Sequence, residues 1–204
     1  MSRTVIKNGD IVQIPLSKYM SGYGYGKYID AVKVFRGAIN LPSIIRLYSH
    51  ITETPEQNPK MIRRDLLMAP IALVGIKGAH KLGWKTIDNE QISEDDKFLP
   101  DVKSGWPPLI PVPERWVYKE ELGNPEKLHF AEYDNVKHLE NSRLLNIEMV
   151  PFRIAMENLK LEGKNIKDII KSMDWLEEAE YNSSYDLPPY STLPENLKGR
   201  AIRQ

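Results

Sequence analysis

Hydrophobic and polar positions alternate at the start of the chain in the way that half-buried strands do. In residues 10–16, every second position from Val12 onward is apolar. After a polar turn, residues 22–35 predict a second strand that is long and bent. Gly24 and Gly26 fall on one face of this second strand, which indicates a bulge or another backbone lying close to it. The chain is therefore expected to open with a hairpin.

Further strands are expected where short apolar runs lie between turn-forming residues. These runs occupy residues 65–75, 83–87, 115–121 and 128–133. Pro70 cannot donate a backbone hydrogen bond, so the run around it belongs at a sheet edge or breaks near the proline. Residues 37–48 fit either a strand or a short helix, and the prolines of residues 106–113 predict extended or irregular chain.

The C-terminal part changes to the three- and four-residue spacing of amphipathic helices. The apolar stripe of a first helix comprises Phe152, Ala155, Met156 and Leu159. Gly163 would end this helix, and Asn165 can cap a second one. The stripe of the second helix would comprise Ile166, Ile169, Ile170, Met173 and Leu176. From Asn182 onward the chain is rich in Ser, Tyr and Pro, which predicts an irregular tail.

Together these patterns predict an α+β fold, in which an N-terminal, strongly bent, barrel-like antiparallel sheet is followed by two helices and the tail. The 204 residues, 41% of them hydrophobic, suffice for one sizeable core or two small ones. We expect residues 1–181 to form a single domain whose helical part is 151–181. Residues 182–204 would form the Pro- and Ser-rich tail.

The composition also bears on the compartment. The chain has no cysteine, which excludes disulfide bonds and thiolate metal ligands. No apolar leader follows the first residues, and the longest apolar run, residues 66–76, is too short to span a bilayer. We therefore expect a cytoplasmic protein with no membrane partner.

Charge is distributed unevenly although the net charge is zero. Residues 1–86 contain thirteen Lys and Arg against five acids, whereas residues 87–204 contain fifteen against twenty-three. The halves therefore carry +8 and −8. Either the two halves neutralise each other within one fold, or one charged face is left to attract a partner.

The sequence contains no recognisable catalytic pattern. The G-x-S-x-G motif is absent, and the glycines of residues 22–26 lack the spacing of a dinucleotide site. The four histidines are not at metal-ligand spacing. Neighbouring carboxylates such as Asp95 and Asp96 would point to opposite faces of a strand, so they do not suit a shared-proton pair. We expect no catalysis, no metal and no cofactor.

Aromatic and basic residues of the N-terminal third suggest an alternative function. Tyr23, Tyr25 and Lys27 could stack bases and hold phosphates in a groove of a small, SH3-like barrel. However, the basic residues are dispersed, whereas a nucleic-acid-binding module usually carries a basic stripe. A nucleic-acid-binding module is therefore the second interpretation.

The tryptophans are expected in the core, with one exception. Trp106 precedes Pro107 in a predicted loop, where a bulky aromatic side chain can anchor a protein partner.

The N-terminal motif resembles that of a known family. Residues 9–16, Gly-Asp-Ile-Val-Gln-Ile-Pro-Leu, and residues 23–27, Tyr-Gly-Tyr-Gly-Lys, resemble the opening of the Imm26 family of immunity proteins. The tryptophan-bearing run of residues 82–87 is similar to a strand that follows an apolar strand in that family. The resemblance covers residues 5–150 in order and leaves the C-terminal helices outside.

The resemblance implies an α+β immunity protein encoded beside a toxin of a bacterial polymorphic toxin system. It would neutralise this cognate toxin by stoichiometric protein binding rather than by catalysis. A toxin that is a nuclease has a basic substrate cleft, to which an acidic surface is attracted. Such a surface would be built from acids that include Glu90 and Asp101. The main partner-binding candidates are Glu94, Asp95, Asp96, Trp106, Glu120 and Glu121.

Overall fold

A computed structural model describes residues 5–36, 43–107 and 113–203. The first sheet contains β1 (Asp10–Pro15), β2 (Tyr23–Ile29), β3 (Ser43–Thr52), β4 (Ile71–Leu73) and β5 (Lys85–Asn89). All its pairings are antiparallel, in the order β4-β3-β2-β1-β5. The sheet is open, with β4 and β5 at its edges, so the expected barrel does not form.

The second sheet lies in the later half of the chain. Its strands are β6 (Val102–Trp106), β7 (Arg115–Lys119), β8 (Leu128–Ala131) and β9 (Glu140–Asn141). The order is β8-β7-β6-β9, with β9 parallel to β6 and the other pairs antiparallel. The helices are α1 (Ala31–Val34), α2 (Tyr133–Val136), α3 (Val150–Leu161) and α4 (Trp175–Ser184). The predicted α+β class is confirmed.

The strand that the sequence predicts over residues 22–35 is too long. It ends at Ile29, because Asp30 accepts a hydrogen bond from the backbone N–H of Lys33 and starts the short helix α1. The run around Pro70 forms only β4, which begins directly after the proline and lies at the sheet edge, as expected. Of the ambiguous residues 37–48, residues 43–48 belong to β3, and 37–42 lie outside the described residues.

The two glycines of β2 do mark a bulge. The pairing of β2 with β3 shifts register between Gly24 and Gly26. A Cβ on Gly26 would lie 2.8 Å from the carbonyl oxygen of Arg46 on β3. A Cβ on Gly24 would lie 2.9 Å from Cδ1 of Ile154 on α3. Only glycine therefore lets β3 and α3 approach β2 this closely.

The first C-terminal helix is confirmed, but the second begins later than predicted. Asn165 accepts a hydrogen bond from the N–H of Lys167 and caps only the 3₁₀ turn Ile166–Asp168. Helix α4 starts at Trp175, where Asp174 and Glu177 form a complete capping box.

The largest hydrophobic core joins the two halves of the chain. Apolar residues of the first sheet pack against residues 145–154, which include the first turns of α3. The N–H of Val74 donates to the carbonyl of Leu145, and the N–H of Leu145 donates to the carbonyl of Ala72. The N-terminal sheet is thus completed by the C-terminal half.

A buried ionic cluster connects the C-terminal elements. Arg153 of α3 is 1% exposed, and its guanidinium contacts three carboxylates. The distances are 2.6 Å to Glu140 of β9, 3.1 Å to Glu157 of α3 and 2.8 Å to Glu180 of α4. One cation therefore fixes α3, α4 and the second sheet relative to one another.

The chain after α4 is irregular apart from two 3₁₀ turns, Tyr190–Thr192 and Glu195–Leu197. Its last part lies along the second sheet: the N–H of Ala201 donates to Asp101 Oδ2 at 2.9 Å. The N–H of Ile202 donates to the carbonyl of Asn135 at 3.0 Å. Hydrogen bonds donated by main-chain N–H groups therefore hold this segment against the rest of the protein.

Candidate functional site

The acidic loop after β5 contains one buried carboxylate. Asp96 is 6% exposed and accepts hydrogen bonds from Lys27 Nζ at 2.7 Å and from the N–H of Ser93 at 2.9 Å. Nε of Arg46 lies 3.3 Å from its other oxygen. Asp96 therefore lies inside the protein, where it joins the loop to the first sheet, rather than on the expected acidic face.

The negative charge of Asp96 is compensated by the positive charge of Lys27. Burial alone would raise the pKa of the Asp96 carboxyl group, but the hydrogen bonds from Lys27 and Ser93 outweigh it and hold the pKa below its ordinary value. Lys27 is itself only 3% exposed. The pair is therefore a structural ion pair whose members need each other.

The neighbouring carboxylates are at the surface. Glu94 is exposed and forms an ion pair with Lys97 at 2.6 Å. Asp95 is also exposed, and its carbonyl oxygen accepts a hydrogen bond from Arg46 Nη1 at 2.5 Å. These two residues lie where a partner can reach them.

Glu120 and Glu121 follow β7, and both are paired with cations. Glu120 lies 3.2 Å from His129 Nε2 and 3.1 Å from Arg203 Nη2. Glu121 accepts a hydrogen bond from Lys127, which lowers the pKa of the Glu121 carboxyl group. Among the described residues, no hydrogen bond or ion pair links these two acids to Glu94 or Asp95.

Ion pairs between the two halves absorb much of the charge asymmetry. Basic residues before position 87 pair with acids after it, for example Lys27 with Asp96, Arg64 with Glu90 at 2.5 Å, and Lys18 with Glu177 at 2.5 Å. The hypothetical face also loses Asp101, which is fully buried. Internal neutralisation thus accounts for a substantial part of the +8 and −8 charges.

An exposed aromatic pair stands on one face of the second sheet. Trp106 is 39% exposed, and its ring lies edge-on to that of Phe130, with centroids 6.1 Å apart. Phe130 is 56% exposed, and the guanidinium of Arg115 lies 5.5 Å from its ring. We call these three residues the aromatic surface. Large exposed aromatics beside an arginine are typical of protein-binding sites.

Strand register brings the aromatic surface together. Trp106 pairs with Arg115, and Val117, two residues further along β7, pairs with Phe130. All four side chains therefore share one face of the sheet. Trp106 is a sequence-predicted candidate, whereas Phe130 and Arg115 are not. Their only sequence signal is membership of predicted strands, and the register between those strands is a long-range property.

The other tryptophans differ in burial. Trp84 is 4% exposed, as predicted for a core residue, and Trp116 is half-buried. Trp175 at the start of α4 is 75% exposed, so its assignment to the core is wrong. It lies at the first residue of the helix, outside the packed face.

Two of the three residues expected to form a nucleic-acid-binding groove, Tyr25 and Lys27, are buried. Tyr25 is fully buried, with its hydroxyl 2.7 Å from Thr52 Oγ1, and Lys27 is committed to Asp96. Neither side chain can stack a base or contact a phosphate from these positions.

Metal-binding clusters and membrane-spanning helices are both absent from the part of the chain that the structure describes. There, no group of three or more His, Asp or Glu side chains is placed to hold a metal ion. Within the same residues, no helix is both long and apolar enough to cross a membrane.

Comparison with known proteins identifies the N-terminal half. Residues 7–105 match the family model Imm26, Immunity protein 26, which spans the first sheet and reaches into β6. The match ends earlier than the resemblance over residues 5–150 suggests. No curated protein and no solved structure matches the chain significantly. This match supports the assignment of residues 7–105 to the Imm26 family of immunity proteins.

Proposed function

We propose that this protein binds the cognate toxin of a bacterial polymorphic toxin system and neutralises it stoichiometrically, in the cytoplasm and without catalysis. The family match over residues 7–105 carries the proposal, because an immunity protein has a toxin as its partner. Such a role requires a stable binding surface rather than reacting groups.

The aromatic surface is the proposed centre of the toxin contact. Binding energy in protein interfaces is concentrated in a few Trp, Tyr and Arg side chains that lose their water on binding. Trp106 and Phe130 offer two such rings, and Arg115 adds a planar cation beside them. The cognate toxin is proposed to cover this surface with an apolar pocket that has an acidic rim.

Glu94 and Asp95 are the acids that remain available for electrostatic steering. If the toxin is a nuclease, its cleft is basic, and exposed carboxylates would speed the encounter. Glu120 and Glu121 would contribute less, because each already contacts a cation.

The first experiment tests the function. The protein is co-expressed with the product of the neighbouring toxin gene, and growth, pull-down and the stoichiometry of the complex are measured. We expect restored growth and an equimolar complex. Restored growth without a complex, or with cleavage of the toxin, would contradict stoichiometric binding.

The second experiment tests the surface. Trp106→Ala should weaken toxin binding by about 2 kcal/mol, or roughly thirtyfold in Kd, because a ring of this kind is a typical hot spot. Phe130→Ala should act in the same direction. Trp175→Ala is the matched control, since it removes a still more exposed tryptophan from α4. If only Trp175→Ala weakened toxin binding, the toxin would still be the partner, but its contact surface would lie on α4 and not on the aromatic surface.

The third experiment tests steering. Glu94→Lys with Asp95→Lys should lower the association rate at low salt and flatten its salt dependence. Asp96 is left intact, because reversing its charge would leave Lys27 buried without a counter-ion. An unchanged association rate at low ionic strength would remove these acids from the proposal.

A further inference from the structure

A cavity of about 260 Å³ lies between the second sheet, α2 and the end of α4. Lys103 of β6 and Trp116 of β7 line it from the sheet, since both point to the face opposite Trp106. Tyr133 of α2 lines a second side, and Asp186 lies at the segment that follows α4. The cavity is thus built by four separate parts of the fold.

Lys103 is an unusual cation in this protein. It is 5% exposed, and its Nζ donates to the carbonyl oxygen of Lys137 at 2.5 Å. Among the described residues, no carboxylate lies within 4.0 Å of this Nζ, whereas the buried cations Lys27 and Arg153 each contact at least one. An ammonium group has three donors, so Lys103 retains hydrogen-bonding capacity beside the cavity.

Burial lowers the pKa of Lys103 to about 8, and the more distant Glu140 and Asp186 only partly oppose it. At neutral pH the side chain is still mostly protonated. A buried charge without a paired counter-ion is costly, and an anion in the cavity would remove this cost.

Two aromatic rings form a flat part of the remaining lining. The rings of Trp116 and Tyr133 have centroids 4.8 Å apart at an angle of 43°. Nζ of Lys103 lies 5.9 Å from the centroid of the Tyr133 ring. The cavity therefore places the buried Lys103 beside aromatic surface, with polar side chains such as Lys137 completing its lining. Such an arrangement suits a small, flat anion.

We propose that this cavity is a binding site for a small carboxylate with an aromatic or apolar body, in which Lys103 pairs with the carboxylate and the rings of Trp116 and Tyr133 contact the body. The volume is slightly below the ~300 Å³ at which typical ligand pockets begin, so the ligand is smaller than a drug-sized molecule. The site is separate from the aromatic surface on the other face and does not depend on the proposed toxin.

Phenylacetate is the probe for the test. The full chain is titrated with it, and chemical shifts of the Trp116 indole and of the Lys103 side chain are followed by NMR. We expect saturable shifts at both residues. Lys103→Met should weaken binding by about tenfold or more, because hydrogen bonds to charged groups are the strongest polar contacts. Lys119→Met is the matched control, since Lys119 lies on the opposite face of β7 from Trp116.

Two further measurements distinguish a site that binds anions from a cavity that binds any apolar molecule. Phenylacetamide, which lacks the charge, should bind more weakly than phenylacetate. Asp186→Asn should tighten phenylacetate binding, because it removes a negative charge that faces the same lysine. Equal binding of the two probes, or unchanged binding in Lys103→Met that retains the wild-type fold by circular dichroism, would overturn the proposal.

The pH dependence gives an independent check. Phenylacetate affinity should fall as the pH rises through about 8, where Lys103 loses its proton. Other titratable or charged groups that face Lys103 from neighbouring elements are Tyr118, Tyr133, Lys137, Glu140 and Asp186. In the Lys103→Met variant, phenylacetate affinity should not fall over this pH range. If affinity still fell in that variant, another group would be responsible for the pH dependence.

A carboxylate could come from a free molecule or from a side chain of a protein partner. Phenylacetate binding is therefore repeated in the presence of the cognate toxin. Displacement would place the carboxylate on the toxin, and continued binding would identify a free ligand. Failure of the toxin to bind would contradict the proposed function and leave the phenylacetate result standing.

Discussion

Gly24 shows how closely a single position is fitted to the rest of the molecule. A Cβ there would meet Cδ1 of Ile154 at 2.9 Å and Cγ2 at 3.0 Å. Ile154 is 1% exposed and belongs to the main core, so it has little room to move. The absence of a side chain at Gly24 is therefore what allows α3 to lie against the first sheet.

Gly24→Ala should lower the free energy of unfolding by about 1–3 kcal/mol, the usual cost of overpacking a core. Chemical denaturation measures the change. Gly75→Ala is the control, because a Cβ at Gly75 meets nothing within 4 Å. It should leave stability nearly unchanged or raise it slightly.

A double-mutant cycle identifies the clash. Ile154→Val removes Cδ1, the atom nearest to the added methyl group. The double variant should be more stable than the sum of the two single changes predicts. Strict additivity would show that the cost of Gly24→Ala arises elsewhere.

At the scale of elements, local signals predicted some boundaries and misplaced others. The alternation of β1 and the helical spacing of α3 each reflect one buried face, so the sequence reveals them directly. The start of α4 does not follow from spacing. Asn165 provides a genuine cap, but only for one 3₁₀ turn, and the stripe after it leaves Ile169 48% exposed.

The capping box at Asp174 is the stronger helix start. The Asp174 side chain accepts hydrogen bonds from the N–H groups of Leu176 and Glu177, and the Glu177 side chain accepts one from the N–H of Asp174. Glu177 is also held by Tyr19 and Lys18 from the N-terminal half. These distant partners cannot be inferred from a local pattern.

Asp174→Ala should therefore destabilise the protein by about 1 kcal/mol, the typical cost of losing an N-cap. Asp168→Ala is the matched control, because Asp168 would close the capping box if the helix began at Asn165. We expect its effect to stay within about 0.5 kcal/mol, as for an exposed residue. The opposite ranking in thermal or chemical unfolding would place the start of the helix at Asn165.

At the scale of the whole molecule, the candidate site depends on contacts between distant parts of the chain. The sequence indicates Trp106 as an exposed anchor, but its neighbour Phe130 follows only from the register of β6, β7 and β8. The sequence also predicts that Glu94, Asp95 and Asp96 belong to one exposed acidic face, whereas in the fold Asp96 is buried against Lys27. Charge patterns along a sequence do not show which charges are paired in space.

The same long-range pairing determines how much of the chain is needed to fold. The family match ends at residue 105, yet the core of the first sheet includes Leu145, Val150 and Ile154 from beyond it. A chain ending at residue 106 would expose the apolar face that these residues cover, and it would lose the partners of β6.

We therefore expect residues 1–106 alone to lack cooperative unfolding and dispersed amide NMR signals. Residues 107–204 added as a second chain should restore both, because the missing core residues are then supplied. Cooperative unfolding of residues 1–106 alone would instead show that the matched segment is an autonomous domain and that the C-terminal half is an addition to it.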